Sequence, residues 1–422
     1  MAYQEVTKTS YGSRLGNSLK GIVTGLVLFV AATVLLWWNE GRAVKTSRML
    51  KTAETECVDV ASVASVDAAL EGKLIHAVAV AKTDEVLTDP DYGVSVNAIR
   101  LVRRSEYYQW VEHSTSETKD KIGGGQETVT TYTYSKEWVS SPVNSDSFKD
   151  PDYQGSNYVR TTVPDNDLTA QKVDFGAYVL PPAMVGSIPA DASVSLPASL
   201  GNGIDTFVDG NVIYYGENPS TPAIGDVRVT FKEADGGEAS ILGKVTGNTF
   251  ESYKHKNGKS LIALSMGNHS MESMFESEKA ANKAILWLLR ILGIILVVAA
   301  LRMMFSILVT ILKVLPPLAK VGELGVNLVT AVVGFVWALI IIIIAWVAYR
   351  PVLAIALAVA IAALIYFLIT KSKKAPAAEV APAAAAPAAP AAPAAPAAPA
   401  APAAPAAPEA PAAPEAPKTD AE

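Results

Sequence analysis

Residues that could do chemistry are present in this chain, but they form no recognisable catalytic pattern. The single cysteine, Cys57, has no histidine motif nearby that could activate it, so the sequence favours a free or buried thiol over a nucleophile. The four histidines have no metal-ligand spacing: His76, His113, His255 and His269. G-x-S-x-G, H-E-x-x-H and P-loop motifs are all missing from the sequence. We therefore predict no catalytic, cofactor-binding or metal-binding residues, and no enzyme.

Two arginines interrupt an otherwise apolar segment. Arg290 and Arg302 bracket eleven apolar residues, about 16 Å of helix, so a membrane span of about 20 residues drawn here must include an arginine. Long side chains can reach the membrane surface, or pair inside the bundle or with lipid phosphate. We expect Arg290 to meet lipid phosphate, Glu276 or Glu278, and to fix how its helix enters the membrane.

The elements that must position these residues are long apolar segments. Residues 21–39, 284–303, 324–349 and 351–370 are predicted to be four transmembrane helices, since about 20 apolar residues cross a bilayer. The first segment ends in Trp37-Trp38 and not in a small-residue cleavage pattern, so it is interpreted as a retained anchor. Residues 304–323, which include a proline pair, are predicted to be interfacial or re-entrant.

Small residues recur at four-residue spacing in two of the predicted spans. They are Gly21 and Gly25 in the first, and Thr330, Gly334 and Ala338 in the third. This spacing lets helices approach closely. It predicts helix packing at these positions and favours a homo-oligomer.

Basic residues indicate which way the chain crosses the membrane. They cluster at residues 302–320 and 371–374, and positive charge marks the cytoplasmic side. The N-terminal residues 1–20 and the C-terminal residues 371–422 are therefore predicted to be cytoplasmic. Residues 40–283 are predicted to lie outside the cytoplasm.

The large domain and the tail differ in composition. Residues 40–283 contain β-branched segments, such as 74–80, 128–134 and 226–231, separated by Gly, Pro and Asp, and a helical stretch at 270–289. The fold class is thus a multi-pass α-helical membrane protein with a large β-rich α+β extracytoplasmic domain. The tail after residue 374 is almost entirely alanine and proline, which predicts a disordered spacer. The net charge of −6, without a basic stripe, argues against nucleic acid as a partner.

Several motifs resemble the LUMA family (transmembrane protein 43). In chain order they are Trp38-Asn39-Glu40-Gly41-Arg42-Ala43, Arg103 with Tyr107-Tyr108-Gln109-Trp110-Val111-Glu112, Tyr134-x-Lys136-x-Trp138, Gly225-Asp226-Val227-Arg228-Val229-Thr230-Phe231 and Trp287-Leu288-Leu289-Arg290-Ile291-Leu292-Gly293. The resemblance implies four spans, a large extracytoplasmic or luminal domain, and a membrane-organising role without enzymatic activity. Eukaryotic members sit in the endoplasmic reticulum and inner nuclear membrane.

This chain departs from the family in two places. After Phe148 it lacks the family's His-x-Asn-Pro segment and has Asp152-Tyr153-Gln154-Gly155-Ser156-Asn157 instead. The Ala/Pro tail is unlike the animal members and suggests a bacterial chain. That origin would place the protein in the inner membrane and its large domain in the periplasm.

Three functions remain open from the sequence. The leading hypothesis is a non-enzymatic scaffold that contacts membrane lipids, associates with further copies of itself and organises other membrane proteins. A transporter or channel component would need polar residues lining several spans. A hydrolase in the outer domain would need a group of residues that only folding brings together.

Overall fold

The computed structural model describes residues 3–314 and 316–350, together with positions 355, 359, 363 and 366. Its helices are α1 (Tyr11–Glu56), α2 (Pro182–Val185), α3 (Met271–Leu312) and α4 (Pro316–Ala348). Ser10 and Ser270 cap α1 and α3, because each side-chain oxygen accepts a hydrogen bond from the backbone N–H three residues later.

Three helices within the described residues are long and apolar enough to cross a membrane: α1, α3 and Val321–Ala348 of α4. The predicted fourth span, residues 351–370, and the predicted tail, residues 371–422, lie outside the described residues apart from isolated positions. The structure therefore contains three candidate spans in its described part, and the fourth stays a prediction.

The segment predicted to be interfacial or re-entrant, residues 304–323, is mostly helical. It contains the end of α3 at Leu312 and the start of α4 at Pro316. The continuation is held against α1, since the hydroxyl groups of Ser18 and Thr310 are 2.7 Å apart. Proline is well suited to the first turn of a helix, so the proline pair starts α4.

The strands form two main sheets. The first contains β1 (Tyr3–Thr9), β6 (Arg100–Asp120), β7 (Gln126–Val139), β8 (Asn166–Thr169), β11 (Ala192–Ser193), β12 (Thr206–Asp209), β13 (Val212–Tyr215) and β14 (Val227–Ala234). Its order is β1-β7-β6-β14-β13-β12, with β8 on β6 and β11 on β14.

The second sheet contains β2 (Val58–Val60), β3 (Leu74–Lys82), β9 (Asp174–Phe175), β10 (Tyr178–Val179), β15 (Gly237–Thr246), β16 (Thr249–Glu251) and β19 (Ala263–Met266). Its order is β19-β15-β16-β10-β9-β3-β2, and β15 also pairs with β3. Two small hairpins are β4 (Val86–Thr88) with β5 (Ser95–Asn97), and β17 (Tyr253–Lys254) with β18 (Ser260–Leu261). Short 3-10 helices lie at Ala68–Leu70, Ser145–Ser147, Pro151–Tyr153 and Ala198–Gly201.

Both sheets contribute to one hydrophobic core. Ile75 and Ile241 come from the second sheet, and Val229 and Phe231 from the first. The β-rich domain that the sequence predicts is therefore present. Within it, Arg103 is fully buried and pairs with two aspartates of the β4–β5 loop, Asp89 at 2.7 Å and Asp91 at 2.6 Å.

Strand β6 leaves this core and continues as a long hairpin with β7. We call the extension formed by β1, β7 and residues 108–120 of β6 the ribbon. β1 lies along the outer edge of β7, so that Thr9 and Asp120 both pair with Gln126. Residues 113–119 are exposed on both faces of the ribbon, whereas residues 101–103 of the same strand are buried.

The two ends of the helix bundle are different. At the domain end, where α1 stops and α3 starts, Leu50 and Ala53 of α1 and Phe275 of α3 share a small core with Leu74 and Leu242 of the second sheet. At the far end, α1 begins and α3 stops. Between these ends Leu36, Val297 and Ala338 are buried among α1, α3 and α4.

Candidate functional site

The most concentrated polar site in the bundle is a pair of charged residues between α1 and α3. Arg290 donates two hydrogen bonds to the Glu40 carboxylate, from Nε at 2.6 Å and from Nη2 at 2.9 Å. The Glu40 side chain is 2% exposed and that of Arg290 is 15% exposed. Such a two-pronged contact fixes both position and rotation of the two helices.

Amide side chains extend this contact toward the domain. Asn39 donates to the Leu286 carbonyl at 3.0 Å and accepts from Arg42, which also donates to Asn282 at 3.1 Å. Asn282 in turn donates to the Ala43 carbonyl at 3.1 Å. We call Asn39, Glu40, Arg42, Asn282 and Arg290 the domain-end junction.

The partner of Arg290 differs from the sequence expectation. Glu276 and Glu278 precede Arg290 on the same helix by at least twelve residues, about 18 Å, which is too far for a direct contact. Glu40 lies on the antiparallel neighbour and meets the guanidinium directly. The Trp287 ring, 4.9 Å from the Arg290 guanidinium carbon, covers it from the side. Arg290 thus pairs within the bundle, and its place at the membrane junction stays a prediction.

The end of α4 reaches the same site. A Cβ at Gly41 would lie 2.5 Å from the Tyr349 ring, so only glycine leaves room for that ring. The Tyr349 backbone carbonyl also accepts a hydrogen bond from Arg48. All three candidate spans therefore meet at the domain-end junction.

The small residues identified from the sequence lie at helix contacts inside one chain. A Cβ at Gly25 would lie 2.8 Å from the Ala300 carbonyl oxygen, and one at Gly21 would lie 3.4 Å from that of Met303. A Cβ at Gly334 would lie 2.8 Å from Val298 on α3. Ala338 is completely buried, as is nearly all of Thr330, whose hydroxyl donates to the Val326 carbonyl at 2.7 Å. These contacts pack α1 and α4 onto α3, so they no longer argue for contacts between copies.

Arg302 occupies a different setting from Arg290. It is exposed, one residue from the Met303 carbonyl that faces Gly21. It lines a narrow cleft with Lys313 and Glu323 between α3 and α4. The structure thus separates the two arginines: Arg290 belongs to the domain-end junction and Arg302 lies toward the far end.

A second polar contact lies at the far end, where the ribbon tip meets the helices. Arg14 donates to the Gly124 carbonyl at 2.9 Å and pairs with Asp120 at 2.8 Å. Lys313 lies 3.6 Å from the same aspartate, and the Gly123 N–H donates to the Val314 carbonyl at 3.2 Å. We call these six residues the far-end clasp.

Glycine is required at the tip for two reasons. Gly124 has φ +82°, which side chains other than glycine rarely adopt. A Cβ there would also lie 2.4 Å from the Tyr11 ring. The tip is therefore shaped to fit the first turn of α1.

The only cysteine lies near a histidine and an aspartate, but their geometry does not activate it. His76 faces the Asp59 carboxylate at 2.7 Å through Nδ1 and the His269 carbonyl at 3.0 Å through Nε2. Both ring nitrogens are engaged, so neither is left as a base for Cys57. Burial and the Asp59 charge raise the pKa of the Cys57 thiol to about 12. Among the described residues, no group of three or more His, Cys, Asp or Glu side chains could hold a metal ion.

Sequence reasoning found Arg290 but missed its partners. Asn39, Glu40 and Asn282 carry the domain-end junction, and Arg14 and Asp120 carry the far-end clasp. A signal was available for Glu40, because it is an acidic residue directly after the aromatic end of an apolar segment. No local signal marks Asp120, since its contact depends on how far the hairpin extends.

Known proteins of one family match this chain. The family model described as Transmembrane protein 43 matches residues 107–351. Transmembrane protein 43 of Rattus norvegicus is 32% identical over 349 residues, which cover 80% of this chain and 86% of the rat protein. The Homo sapiens protein of the same name is 31% identical over 356 residues, with 82% and 88% covered.

A more distant relative extends this similarity to insects. Transmembrane protein 43 homolog of Drosophila melanogaster is 29% identical over 351 residues, covering 78% of this chain and 89% of its own length. No solved structure matches the chain.

Proposed function

Because the chain belongs to the transmembrane protein 43 family, we propose that it is a non-enzymatic scaffold of the membrane. In this role its large domain holds other membrane proteins, and several copies of the chain associate. The domain and the bundle act as one rigid unit, so that a partner bound by the domain keeps a fixed place relative to the bilayer.

The observation that carries this proposal is the continuous connection between bundle and domain. α1 extends from its apolar stretch to Glu56 and α3 from Met271, without a break at the membrane boundary. Both helices enter the small core with Leu74 and Leu242. Two unbroken helices sharing a core with a sheet transmit position, whereas a flexible linker would not.

Contacts with the domain reinforce this connection. Lys279 of α3 binds Glu54 of α1 at 2.7 Å, and Asn257 donates to the Lys45 carbonyl at 2.7 Å. Farther from the sheets, the domain-end junction holds α1 and α3 together. A protein whose task were to bind and release a substrate in the domain would not need so many contacts with its membrane anchor.

The chemistry of the domain also fits a scaffold better than a hydrolase. The Cys57 thiol has a raised pKa, and His76 is held by two acceptors. Arg103 and its two aspartates are used to fix the β4–β5 loop. These polar groups stabilise the fold and are not directed into an open cleft.

We further propose the orientation and location of the protein. The start of α1 and the tail after residue 374 lie in the cytoplasm of a bacterial cell, the domain core lies in the periplasm, and the bundle crosses the inner membrane. The basic residues at 302–320 and 371–374 support this orientation. Reporters inserted in the Asp209–Gly210 turn and after Lys374 should lie on opposite sides, and reporters on one side would contradict it.

Partner capture by crosslinking in native membranes tests the scaffold role. Membranes with the full chain are compared with membranes whose chain carries a flexible six-residue Gly-Ser insertion both after Glu56 and before Ser270. The insertions leave the sheets intact, and Leu50→Asp with Phe275→Asp in the same chain removes the small core that would otherwise still hold the domain to the bundle. We expect the parent chain to capture a defined set of membrane proteins that the insertion variant loses. An identical set from both chains would contradict a rigid scaffold.

Self-association is measured separately. Mass determination in native-lipid nanodiscs should give a defined multiple of the 44.4 kDa chain. A monomer at every concentration would contradict this part of the proposal and leave the partner-capture test unaffected.

A further inference from the structure

The ribbon connects the two ends of the bundle. Its base is the domain strand β6, and its tip is held in the far-end clasp by Arg14 and Lys313. From Tyr107 to Asp120 a strand covers about 44 Å. Along α1, the distance from Arg14 to Lys45, where the domain contacts that helix, is about 46 Å. The two lengths are similar, and the ribbon extends from the domain end of the bundle to its far end.

The middle of the ribbon therefore lies at the level of the hydrocarbon core. Thr115 is five residues before Asp120, about 17 Å from the clasp. Gly25 is eleven residues after Arg14, also about 17 Å along α1. Because Gly25 lies within the apolar segment of α1, Thr115 lies at a depth where the helices are built for lipid.

The ribbon is polar on both faces. One cross-section joins Lys8, Glu127 and Lys119, and another joins Gln4, Thr131 and Thr115. The opposite face carries Glu5 and Ser116 beside Thr130. No row of apolar residues is available to face lipid, and a charged side chain at the centre of a bilayer is strongly disfavoured.

The edges of the ribbon are equally unsuited to lipid. The outer edge of β1 and the edge of β6 at residues 111–120 face away from β7, and within the described residues neither pairs with another strand. Closer to the domain, Asn157 binds both the backbone N–H and the carbonyl of Trp110. Unpaired backbone groups in hydrocarbon cost several kcal/mol each, so open sheet edges do not face lipid. Water or further protein must cover this surface.

A second copy of the chain can supply that cover. β1 and β6 are each antiparallel to β7, so they run in the same direction at opposite edges of the ribbon. Copies arranged around an axis normal to the membrane present one edge to the other edge of the next copy. Contacts of this head-to-tail kind close into rings.

We propose that the ribbons of several copies lie together at the centre of such a ring, where they line a water-filled passage across the membrane. The helices form the outer, lipid-facing wall. The occupants of the passage are water and small hydrated ions, because the lining carries both signs of charge and many hydroxyl groups. This inference rests on the self-association proposed above.

Cysteine accessibility in the full chain tests the passage. Cys57 is first replaced by alanine, and single cysteines are introduced at Thr115 and Ser116, one on each face of the ribbon. Open native membrane sheets are treated with a charged thiosulfonate reagent, which reacts with thiolates in water. Val27→Cys and Val336→Cys, at exposed positions on α1 and α4, are the matched lipid-facing controls. We expect both ribbon cysteines to react at least tenfold faster than both controls.

A disulfide test establishes whether the tip of the ribbon lies at the far end of the bundle. Asp120→Cys with Lys313→Cys should form a disulfide under mild oxidation, and Ser18→Cys with Thr310→Cys between α1 and α3 is the control for a folded bundle. If only the control pair forms, the ribbon does not cross the membrane and the passage is refuted.

The mass measurement separates the remaining outcomes. An oligomer with ribbon cysteines as slow as Val27→Cys would refute the passage but keep self-association. A monomer would refute both. An oligomer with fast ribbon cysteines and a formed Asp120–Lys313 crosslink would support the passage.

Discussion

The two ends of the α1–α3 pair are held by contrasting contacts. At the domain end, Glu40 and Arg290 form a buried pair that is closed from solvent by neighbouring helices. At the far end, Asp120 is shared by Arg14 and Lys313, is about one-fifth exposed, and has one contact as long as 3.6 Å. Glu40 is almost fully buried, so losing its partner would leave a charge in a medium of low dielectric constant, whereas water can reach the partly exposed Asp120 and replace its contacts. The domain-end junction therefore stays closed, whereas the far-end clasp can open.

Removing one partner of the buried pair should have the largest effect. Glu40→Leu leaves Arg290 without its counter-charge, and breaking such a pair costs about 3–5 kcal/mol. Thermal unfolding in nanodiscs would show a strongly lowered transition temperature. The double variant Glu40→Leu with Arg290→Leu removes both charges and should recover most of the loss. If Glu40→Leu were as stable as the parent, the Glu40–Arg290 pair would not be shielded from water.

Close packing along the helices should come next. Gly25→Ala places a methyl group 2.8 Å from the Ala300 carbonyl oxygen, so the helices must move apart, at a cost of about 1–3 kcal/mol. Gly16→Ala is the matched control, since nothing lies within 4 Å of its Cβ position and alanine favours a helix by up to about 1 kcal/mol. We expect opposite signs for the two changes in the free energy of unfolding. Equal signs would mean that Gly25 does not set the helix spacing.

Loosening the far-end clasp should have a smaller effect on stability. Asp120→Asn removes the attraction to Arg14 and Lys313 but keeps a hydrogen-bonding side chain, so we expect a loss of about 1 kcal/mol or less. Hydrogen exchange at residues 121–125 should nevertheless accelerate several-fold, and the parent should show the same acceleration at high salt. If exchange in this tip is unchanged, the clasp does not depend on charge.

The smallest effect is a change in the reactivity of Cys57, which packs against the small core at the domain end of the bundle. Its pKa is about 12, above the usual value, because burial and the Asp59 charge disfavour the thiolate. Alkylation should therefore be slow near neutral pH and should accelerate as the pH rises toward 12. In Glu40→Leu the domain end loosens and water reaches the thiol, which lowers its pKa. Alkylation at pH 8 should then be faster than in the parent. Equal rates would show that Cys57 does not depend on the domain-end junction.

Much of the fold follows from local sequence. The apolar segment 21–39 predicts the centre of α1, and the β-branched segment 74–80 predicts β3, because both patterns depend only on neighbouring residues. The N-cap at Ser270 likewise agrees with the predicted helical stretch from that residue. The continuation of α3 to Leu312 depends on a distant contact, since Thr310 packs against Ser18, almost 300 positions earlier. The interfacial location of residues 304–323 stays a prediction.

The contacts of the site were harder to predict because they join distant parts of the chain. Arg290 was recognisable as an unusual charge, but its partner depends on the antiparallel register of α1 and α3, which close approaches such as Gly25 on Ala300 determine. The spacing of Gly21 and Gly25 indicated close packing without saying whether the neighbour is in the same chain. Residues 123–125 are three consecutive glycines in the predicted outer domain, and only the length of the β6–β7 hairpin carries them to the far end.

The pairing of β1 with β7 has a consequence for biosynthesis. β1 leaves the ribosome before its partner β7, which is made on the order of a hundred residues later, after α1. At a translation rate of about 5–20 residues per second, β1 waits for some 5–20 seconds as a strand with no partner. A protein fused ahead of β1 would fold during this interval and hinder the pairing of β1 with β7. Labels used to follow the protein in cells are therefore better attached elsewhere.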